Sequence, residues 1–216
     1  WQLRFGVQGS GGENLNTLAA MKEQSFKDLA NHEIVTLAVY LLGGDAQKID
    51  TEDIAKKANE LASGRFTWRK YPDQINIENV RTFLSDAKKA KNGAYLSGAG
   101  KDGWILTGAG LSFSKVRVGE LDGLELSRKA MNSKERNWMR REHERMLGSE
   151  AYQKFAAGEG VKISTQEAQA FFRVDAYVTG EARSEKLLRA SNVFGEDPEL
   201  GPLIKLLIAR IEQGTP

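Results

Sequence analysis

Apolar residues recur at helical spacing along most of the chain, and they predict a series of amphipathic helices. The most apolar segment, residues 31–42, ends at a pair of glycines. A second helix is predicted over 49–62, where four small or branched residues would form the buried stripe: Ile54, Ala55, Ala58 and Leu61. A third is predicted over 76–91, where apolar residues step by three, four and three positions: Ile77, Val80, Leu84 and Ala87. Asn31 and Asp50 are the predicted N-caps of the first two helices.

A short β-hairpin is predicted directly after the third helix. Residues 94–97 and 104–107 form two short strands, and the turn between them, GAGKDG, is rich in residues that tolerate positive φ. An isolated hairpin is marginally stable, so we expect it to pack on the helices. Thr107 is a predicted N-cap for the chain that follows, and Gly110 would allow close packing in the first turn.

The second half of the chain predicts a small helical bundle. Residues 116–131 are expected to form a connector, because glycines interrupt the apolar positions there. A long helix is predicted over 132–155, with a break at Gly148 and a new cap at Ser149. Ser164 and Glu167 form a capping box, and the helix that they begin is expected to continue past a bend near Gly180. The segment 197–199, Asp-Pro-Glu, begins the last helix.

Residues 1–30 carry little information on the fold. The chain begins at Trp1, and the glycine-rich stretch 9–12 resembles a linker. We expect a tail or a tag remnant there, with Met21 as a candidate native start, followed by a packing helix over 15–29. The fold class predicted from the whole pattern is mainly α, with one small hairpin.

Composition excludes several functional classes. The 216 residues contain no cysteine, which excludes disulfides, cysteine-bound zinc and thiol catalysis, and fits a cytoplasmic protein. Two histidines are too few for a histidine-rich metal site, and no apolar run reaches the roughly 20 residues that a membrane span needs. Neither a catalytic triad nor a phosphate loop with the required spacing is present. We therefore expect no enzyme activity, no cofactor, no metal and no membrane association.

Charge is concentrated in one part of the chain. The net charge of the whole protein is only +2, whereas residues 65–101 hold eight basic and three acidic residues, a local net charge of +5. Basic and hydrogen-bonding side chains there suit phosphates and base edges. The candidate DNA contacts are Arg65, Arg69, Lys70, Asn79, Arg81, Thr82, Ser85, Lys88, Lys89 and Lys101. Asp86 is an objection, because it repels phosphate. The aromatic residues of loop 63–73 are expected to fill the space between helices: Phe66, Trp68 and Tyr71.

Residues 104–110, Trp-Ile-Leu-Thr-Gly-Ala-Gly, add a resemblance to a known superfamily. They resemble the aromatic-x-Leu-Thr-x-x-Gly segment that closes the wing of many bacterial winged-helix DNA-binding domains, such as MarR-like and PadR-like regulators. With the order of elements, the resemblance covers about residues 31–112. It implies a winged helix-turn-helix domain over 31–115, with helix 76–91 in the major groove and wing 94–107 on the DNA backbone. It also implies a bacterial transcription regulator or a DNA-associated accessory protein.

The region 132–216 is predicted to mediate association. Its apolar stripes exceed what one chain is expected to cover, which indicates a homodimer or a protein partner docked on these helices. Mixed charges along 132–155 favour a solvated, salt-bridged helix over a second DNA contact. The expected partner is double-stranded DNA. The alternative is a non-enzymatic interaction subunit of a larger complex, because a winged helix serves both purposes.

Overall fold

The computed structural model describes residues 26–121, 126, 128–175, 177–178 and 180–213. The predicted tail and most of the predicted packing helix 15–29 lie outside the described residues. Within them the protein is mainly α-helical, with one two-stranded antiparallel sheet, which confirms the predicted class. No helix in the described ranges has both the length and the apolar character needed to cross a membrane.

The first half of the described chain contains four helices and the hairpin. Its helices are α1 (Asn31–Leu41), α2 (Thr51–Leu61), α3 (Ile77–Ala87) and α4 (Gly108–Glu120). Strands β1 (Leu96–Ala99) and β2 (Gly103–Leu106) stand between α3 and α4, with Ser97 opposite Ile105. The second half contains five helices: α5 (Ser133–Leu147), α6 (Glu150–Ala156), α7 (Thr165–Phe171), α8 (Gly180–Phe194) and α9 (Leu200–Gln213).

Helix α1 is the centre of the first core. Six consecutive residues of this helix, 34–39, are completely buried, and α2, α3 and the hairpin surround them. The predicted apolar stripes are confirmed on α2 and on α3, where Val80, Leu84 and Ala87 are fully buried and Ile77 is partly buried. Burying each large side chain stabilises the fold by about 1.5–3 kcal/mol, so the first core has ample driving force.

Backbone bonds attach the hairpin to the loop between α1 and α2. Ile49 and Trp104 exchange two N–H···O bonds of 2.9 Å each. The Leu106 amide donates to the Gly44 carbonyl at 2.8 Å, and the Trp104 indole N–H donates to the buried Thr51 hydroxyl at 3.1 Å. The hairpin is therefore a fixed part of the first core.

Most helix starts follow the predicted caps. Thr107 accepts from the Gly110 amide at 3.1 Å, Ser149 begins α6, and Ser164 with Glu167 forms the predicted capping box. Asp197 accepts from two amides at the start of α9. The predicted N-cap of α1 was wrong, because Ala30 rather than Asn31 occupies that position. Asp50 does occupy the N-cap position of α2, but its side chain makes no capping bond.

Several element boundaries differ from the expectations. The predicted helix 76–91 ends at Ala87, and a 3₁₀ turn, Ala90–Asn92, follows it. Strand β1 begins at 96 rather than 94, because Ala94 adopts a φ of 49° and the Tyr95 amide still bonds to the Ala87 carbonyl. Residues 116–120 belong to α4, not to a connector. The helix begun by the Ser164 capping box stops at Phe171, and a separate helix starts at Gly180.

The second core joins α5 to α9 and also contacts the first. The apolar stripe of α9 is buried within this chain, so it no longer indicates a partner: Leu203, Ile204, Leu207 and Ile211. Helix α8 reaches the first core through polar contacts. The Asn192 side chain donates to the Leu106 carbonyl at 2.9 Å, and Glu185 pairs with Lys48 at 2.5 Å.

We predict that Gly110→Ala destabilises the protein by about 3 kcal/mol, because the new Cβ would lie under 3.0 Å from the Tyr95 carbonyl oxygen. Gly119→Ala is the matched control on the same helix, where a Cβ meets open space. That substitution should be neutral or should stabilise by up to about 1 kcal/mol. Urea unfolding midpoints measure both, and equal midpoints for the two variants would contradict the close packing of α4.

The capping box of α7 predicts a pH dependence. A hydrogen bond from Lys154, with two more from Ser164, lowers the pKa of Glu167 from 4.5 to about 2. A depressed carboxyl pKa stabilises the native state above pH 4.5, and this contribution is lost as the pH falls toward 2. The difference in thermal midpoint between wild type and Glu167→Gln should therefore shrink over that range. A difference that stays constant from pH 7 to pH 2 would show that the charge of Glu167 does not contribute.

Candidate nucleic-acid interface

Helix α3 turns one polar face outward. Asn76 caps the helix, and its side chain accepts from the Asn79 amide at 3.1 Å. Because the buried residues occupy the opposite side, the exposed positions follow at helical spacing: Glu78, Arg81, Thr82 and Ser85. Asn79 is only half-exposed. At about 1.5 Å per residue the helix is roughly 16 Å long, a length and width that suit a DNA major groove.

Acidic neighbours pair two of the cations at this face. Arg81 binds Glu78 at 2.5 Å, and Lys89 binds Asp86 at 2.7 Å. The hydrogen bond from Lys89 lowers the pKa of Asp86, so this carboxylate stays ionised and keeps its negative charge next to the helix. All four side chains are at least partly exposed, and such pairs are weak enough to exchange partners.

Lys88 connects α3 to the hairpin. Its ammonium donates to the Gly98 carbonyl at 2.7 Å, and the Glu181 carboxylate of α8 lies 3.7 Å away. Nearly half of the Lys88 side chain is still exposed. The residue is therefore partly a structural brace between two elements, which the sequence pattern did not indicate.

The tip of the hairpin presents Lys101 to solvent. Residues 100–102 are all exposed, whereas β2 is buried along its whole length. Gly98 and Gly103 both have positive φ values, of 118° and 82°, which is why this turn requires glycine. Lys101 has no partner among the described residues, so its charge is available to an external anion.

The loop before α3 forms a second small projection. Thr67 pairs with Ile75, and the Trp68 amide donates to the Gln74 carbonyl at 3.0 Å, so residues 68–74 fold back on themselves. Arg69 and Lys70 are exposed at its end. The loop leads directly into the N-terminus of α3, while the β-hairpin follows the other end of that helix.

Two expectations about this loop need correction. Arg65 is not a free cation, because its guanidinium donates to the carbonyls of Phe26 and Leu29 at 2.9 Å each. Phe66 fills the core as expected, but Trp68 is 46% exposed and Tyr71 is 50% exposed. These two rings therefore do not fill a gap between helices. A run of alternating aromatic and basic residues is the signal that could have indicated an exposed surface.

Lys91 is a candidate contact that the sequence prediction left out. It lies in the single 3₁₀ turn, Ala90–Asn92, between α3 and β1, and it is exposed. Together with Arg69, Lys70 and Lys101 it forms a set of cations that no acidic side chain pairs in the described part of the chain. The structure thus separates the predicted basic residues into a free group, a paired group, the brace Lys88 and the partly buried anchor Arg65.

Metal chemistry finds no support at this surface. In the described ranges, no group of three or more histidine or carboxylate side chains could hold a metal ion. The acidic start of α2 leaves Glu52 and Asp53 exposed in its first turn, where negative side chains interact favourably with the helix dipole. What the surface offers chemically is hydrogen bonding, positive charge and two exposed rings.

We predict that Arg65→Ala destabilises the protein by about 1–3 kcal/mol, because two carbonyls lose a charged donor. Arg69→Ala, the control four residues along the same loop, should change stability by less than about 0.5 kcal/mol. Chemical unfolding measures both. If the two alanine variants lose the same stability, the assignment of Arg65 as an anchor is wrong.

Comparison with protein families, with curated protein sequences and with solved structures gives no match to this chain. The interpretation of the surface therefore depends on the contacts and charges described above.

Proposed function

We propose that residues 31–120 form a winged-helix domain that binds double-stranded DNA. The order of elements supports this: three helices, then a two-stranded hairpin, with Ile49 as an extra bridge between α1 and α2 that pairs with the second strand. In this proposal α3 enters the major groove and the tip of the hairpin contacts the phosphate backbone. The protein would act as a transcription regulator or as a DNA-associated accessory protein.

The observation that carries the proposal is the position of α3. Its apolar side packs on the core, and its outer side presents Arg81, Thr82 and Ser85. The loop before the helix and the hairpin after it each have an exposed basic tip. Arginine, threonine and serine side chains can read base edges, while lysines at the flanks contact phosphates without reading sequence. DNA binding by α3 also accounts for the unpaired cations in the loops on both sides, whereas solvation of the helix alone does not explain them.

The charge pairs set an expectation for how DNA would bind. Glu78 and Asp86 repel phosphate, so Arg81 and Lys89 must leave them before contacting DNA. The unpaired cations require no such exchange, and they would dominate the first, sequence-independent contact. Binding should therefore depend steeply on salt and discriminate only moderately between sequences.

A second candidate function is a protein-interaction module on the same fold. The observation that favours it is the exposure of Trp68 and Tyr71, since exposed aromatic residues are enriched at protein interfaces. A protein partner would bind these rings and would depend less on Lys101. Homodimerisation through the C-terminal helices stays a prediction, and it no longer has the stripe of α9 in its favour.

Removal of a single acid provides a test of DNA binding. We expect Glu78→Gln to strengthen binding to a 25-base-pair duplex by about threefold, because it frees Arg81 and removes a charge that repels phosphate. Lys101→Ala should weaken binding and make the slope of log K against log salt shallower by about one. Fluorescence anisotropy between 50 and 200 mM salt measures both quantities.

Glu120→Gln is the matched control, because Glu120 pairs with Arg117 at 2.7 Å at the same i,i+3 spacing on α4, outside the proposed interface. It should leave the affinity for DNA unchanged. Absence of duplex binding at 50 mM salt would refute the DNA-binding function. Equal gains for Glu78→Gln and Glu120→Gln would show that only net charge matters, and that α3 does not face the DNA.

A further inference from the structure

A cavity of about 240 Å³ lies in the second core, and none of its lining residues is a proposed DNA contact. Helices α5 and α8 form its sides, and the end of α7 closes it. Three cationic side chains, one acid and several large apolar side chains line it. The cations are Arg173, Lys186 and Arg189. The apolar wall consists of Trp138, Met146, Phe172 and Phe194.

Arg189 is the central charge of this cavity. Its guanidinium lies flat against Trp138, 3.5 Å from the ring centroid. Its Nε is buried and has no hydrogen-bond acceptor among the described residues. Burial lowers the pKa of Arg189, yet an arginine remains charged, so the site keeps a positive charge that is incompletely solvated.

The one acid in the cavity is already engaged. Glu142 accepts two hydrogen bonds from Arg145, at 2.6 and 3.1 Å, and only 12% of its side chain is exposed. Its contact with Arg173 is longer, at 3.5 Å. The charges of Glu142 and Glu135 partly oppose the lowered pKa of Arg189. Neither acid accepts a hydrogen bond from Arg189 in the described part of the chain, and the lining of the cavity still holds three cations against one acid.

Arg173 occupies a backbone position that favours glycine. It follows the end of α7 with a φ of 53°, and the Val174 amide donates back to the Gln169 carbonyl at 2.9 Å. This is the Schellman arrangement, in which glycine avoids the strain of a left-handed residue. Lys186 donates to the Arg173 carbonyl at 2.6 Å, which brings a second cation to the same edge. The chain thus keeps an arginine at the cavity in spite of backbone strain.

The cavity adjoins a second depression along α5. That depression has a volume of about 490 Å³ and shares Trp138, Glu142 and Arg173 with the first. It adds Lys134 and Arg141 and contributes no further acid. Anions approaching along α5 would therefore meet positive charge before they reach Arg189.

We propose that this cavity binds a small organic anion that combines one compact apolar group, such as a single aromatic ring, with a phosphate or a carboxylate. The ring packs against the apolar wall, and the anionic group accepts hydrogen bonds from Arg189 and Arg173. An apolar cavity of about 150 Å³ holds benzene in another protein, so about 240 Å³ suits one ring with a charged substituent. A partly enclosed site of this size favours a small molecule over a nucleic-acid backbone.

Isothermal titration calorimetry of the full chain with phenyl phosphate tests the proposal. We expect saturable 1:1 binding. Phenylacetate replaces the phosphate by a carboxylate, inorganic phosphate lacks the ring, and benzyl alcohol lacks the negative charge. Phenyl phosphate and phenylacetate should each bind at least tenfold more tightly than inorganic phosphate or benzyl alcohol. Only the two anionic ring compounds contact both the apolar wall and the cations.

Three variants locate the binding site. Arg189→Gln should weaken binding of the preferred anion at least tenfold. Arg173→Gly should weaken it severalfold while the unfolding midpoint stays the same or rises, since glycine suits the left-handed position. Arg140→Gln is the matched control, because Arg140 is an exposed arginine on α5 that does not line the cavity. It should bind as wild type does.

Several outcomes would overturn the proposal. They are no saturable binding at 10 mM of either anionic ring compound, benzyl alcohol binding as tightly as phenyl phosphate, or equal losses for Arg189→Gln and Arg140→Gln. If Arg189→Gln does not fold, Arg173→Gly decides, because its stability is expected to hold. Competition by a short duplex DNA with the same dependence on Arg189 would assign the cavity to nucleic acid instead. The calorimetric titrations with the small anions do not depend on the proposed DNA-binding function, because they contain no DNA.

Discussion

The attachment of the hairpin through Trp104 is the constraint on which the first half of the protein depends. A two-stranded hairpin is barely stable alone, and this one is held by paired backbone bonds to Ile49 and by an indole bond to a buried hydroxyl. The attachment fixes β1, which in turn fixes the end of α3 through Lys88. Loss of the Trp104 ring would leave the buried Thr51 hydroxyl without its donor and would remove one of the supports of the hairpin.

Half of the basic residues at the proposed interface are not freely available. Two of the cations on or next to α3 already have acidic partners, and a third braces the hairpin. A surface of this kind exchanges internal ion pairs for contacts with a ligand, so its affinity is a difference between two similar energies. The unpaired lysines and arginine in the flanking loops contribute without such an exchange, which is why the loops matter as much as the helix.

The parts of the fold that local chemistry determines could be predicted from the sequence. The caps at Thr107, Ser149 and Ser164 depend on side chains within three residues, and the stripes of α2 and α3 depend on spacing alone. Features that depend on distant contacts were missed. The glycines of the expected connector 116–131 look like helix breakers, yet Gly119 lies within α4. In the sequence, Arg65 cannot be distinguished from an exposed cation. Only the hydrogen bonds of its guanidinium to the carbonyls of Phe26 and Leu29 reveal its role as an anchor.

The contact between the two cores consists to a large extent of polar bonds from α8, and this has a consequence for the shape of the protein in solution. Ion pairs such as Lys48 with Glu185 and Lys115 with Glu196 weaken as the ionic strength rises, whereas the apolar cores on either side do not. The hydrogen bonds of Asn192 give direction but little energy. We therefore expect the relative orientation of the two halves to respond to salt more than the internal structure of each half does.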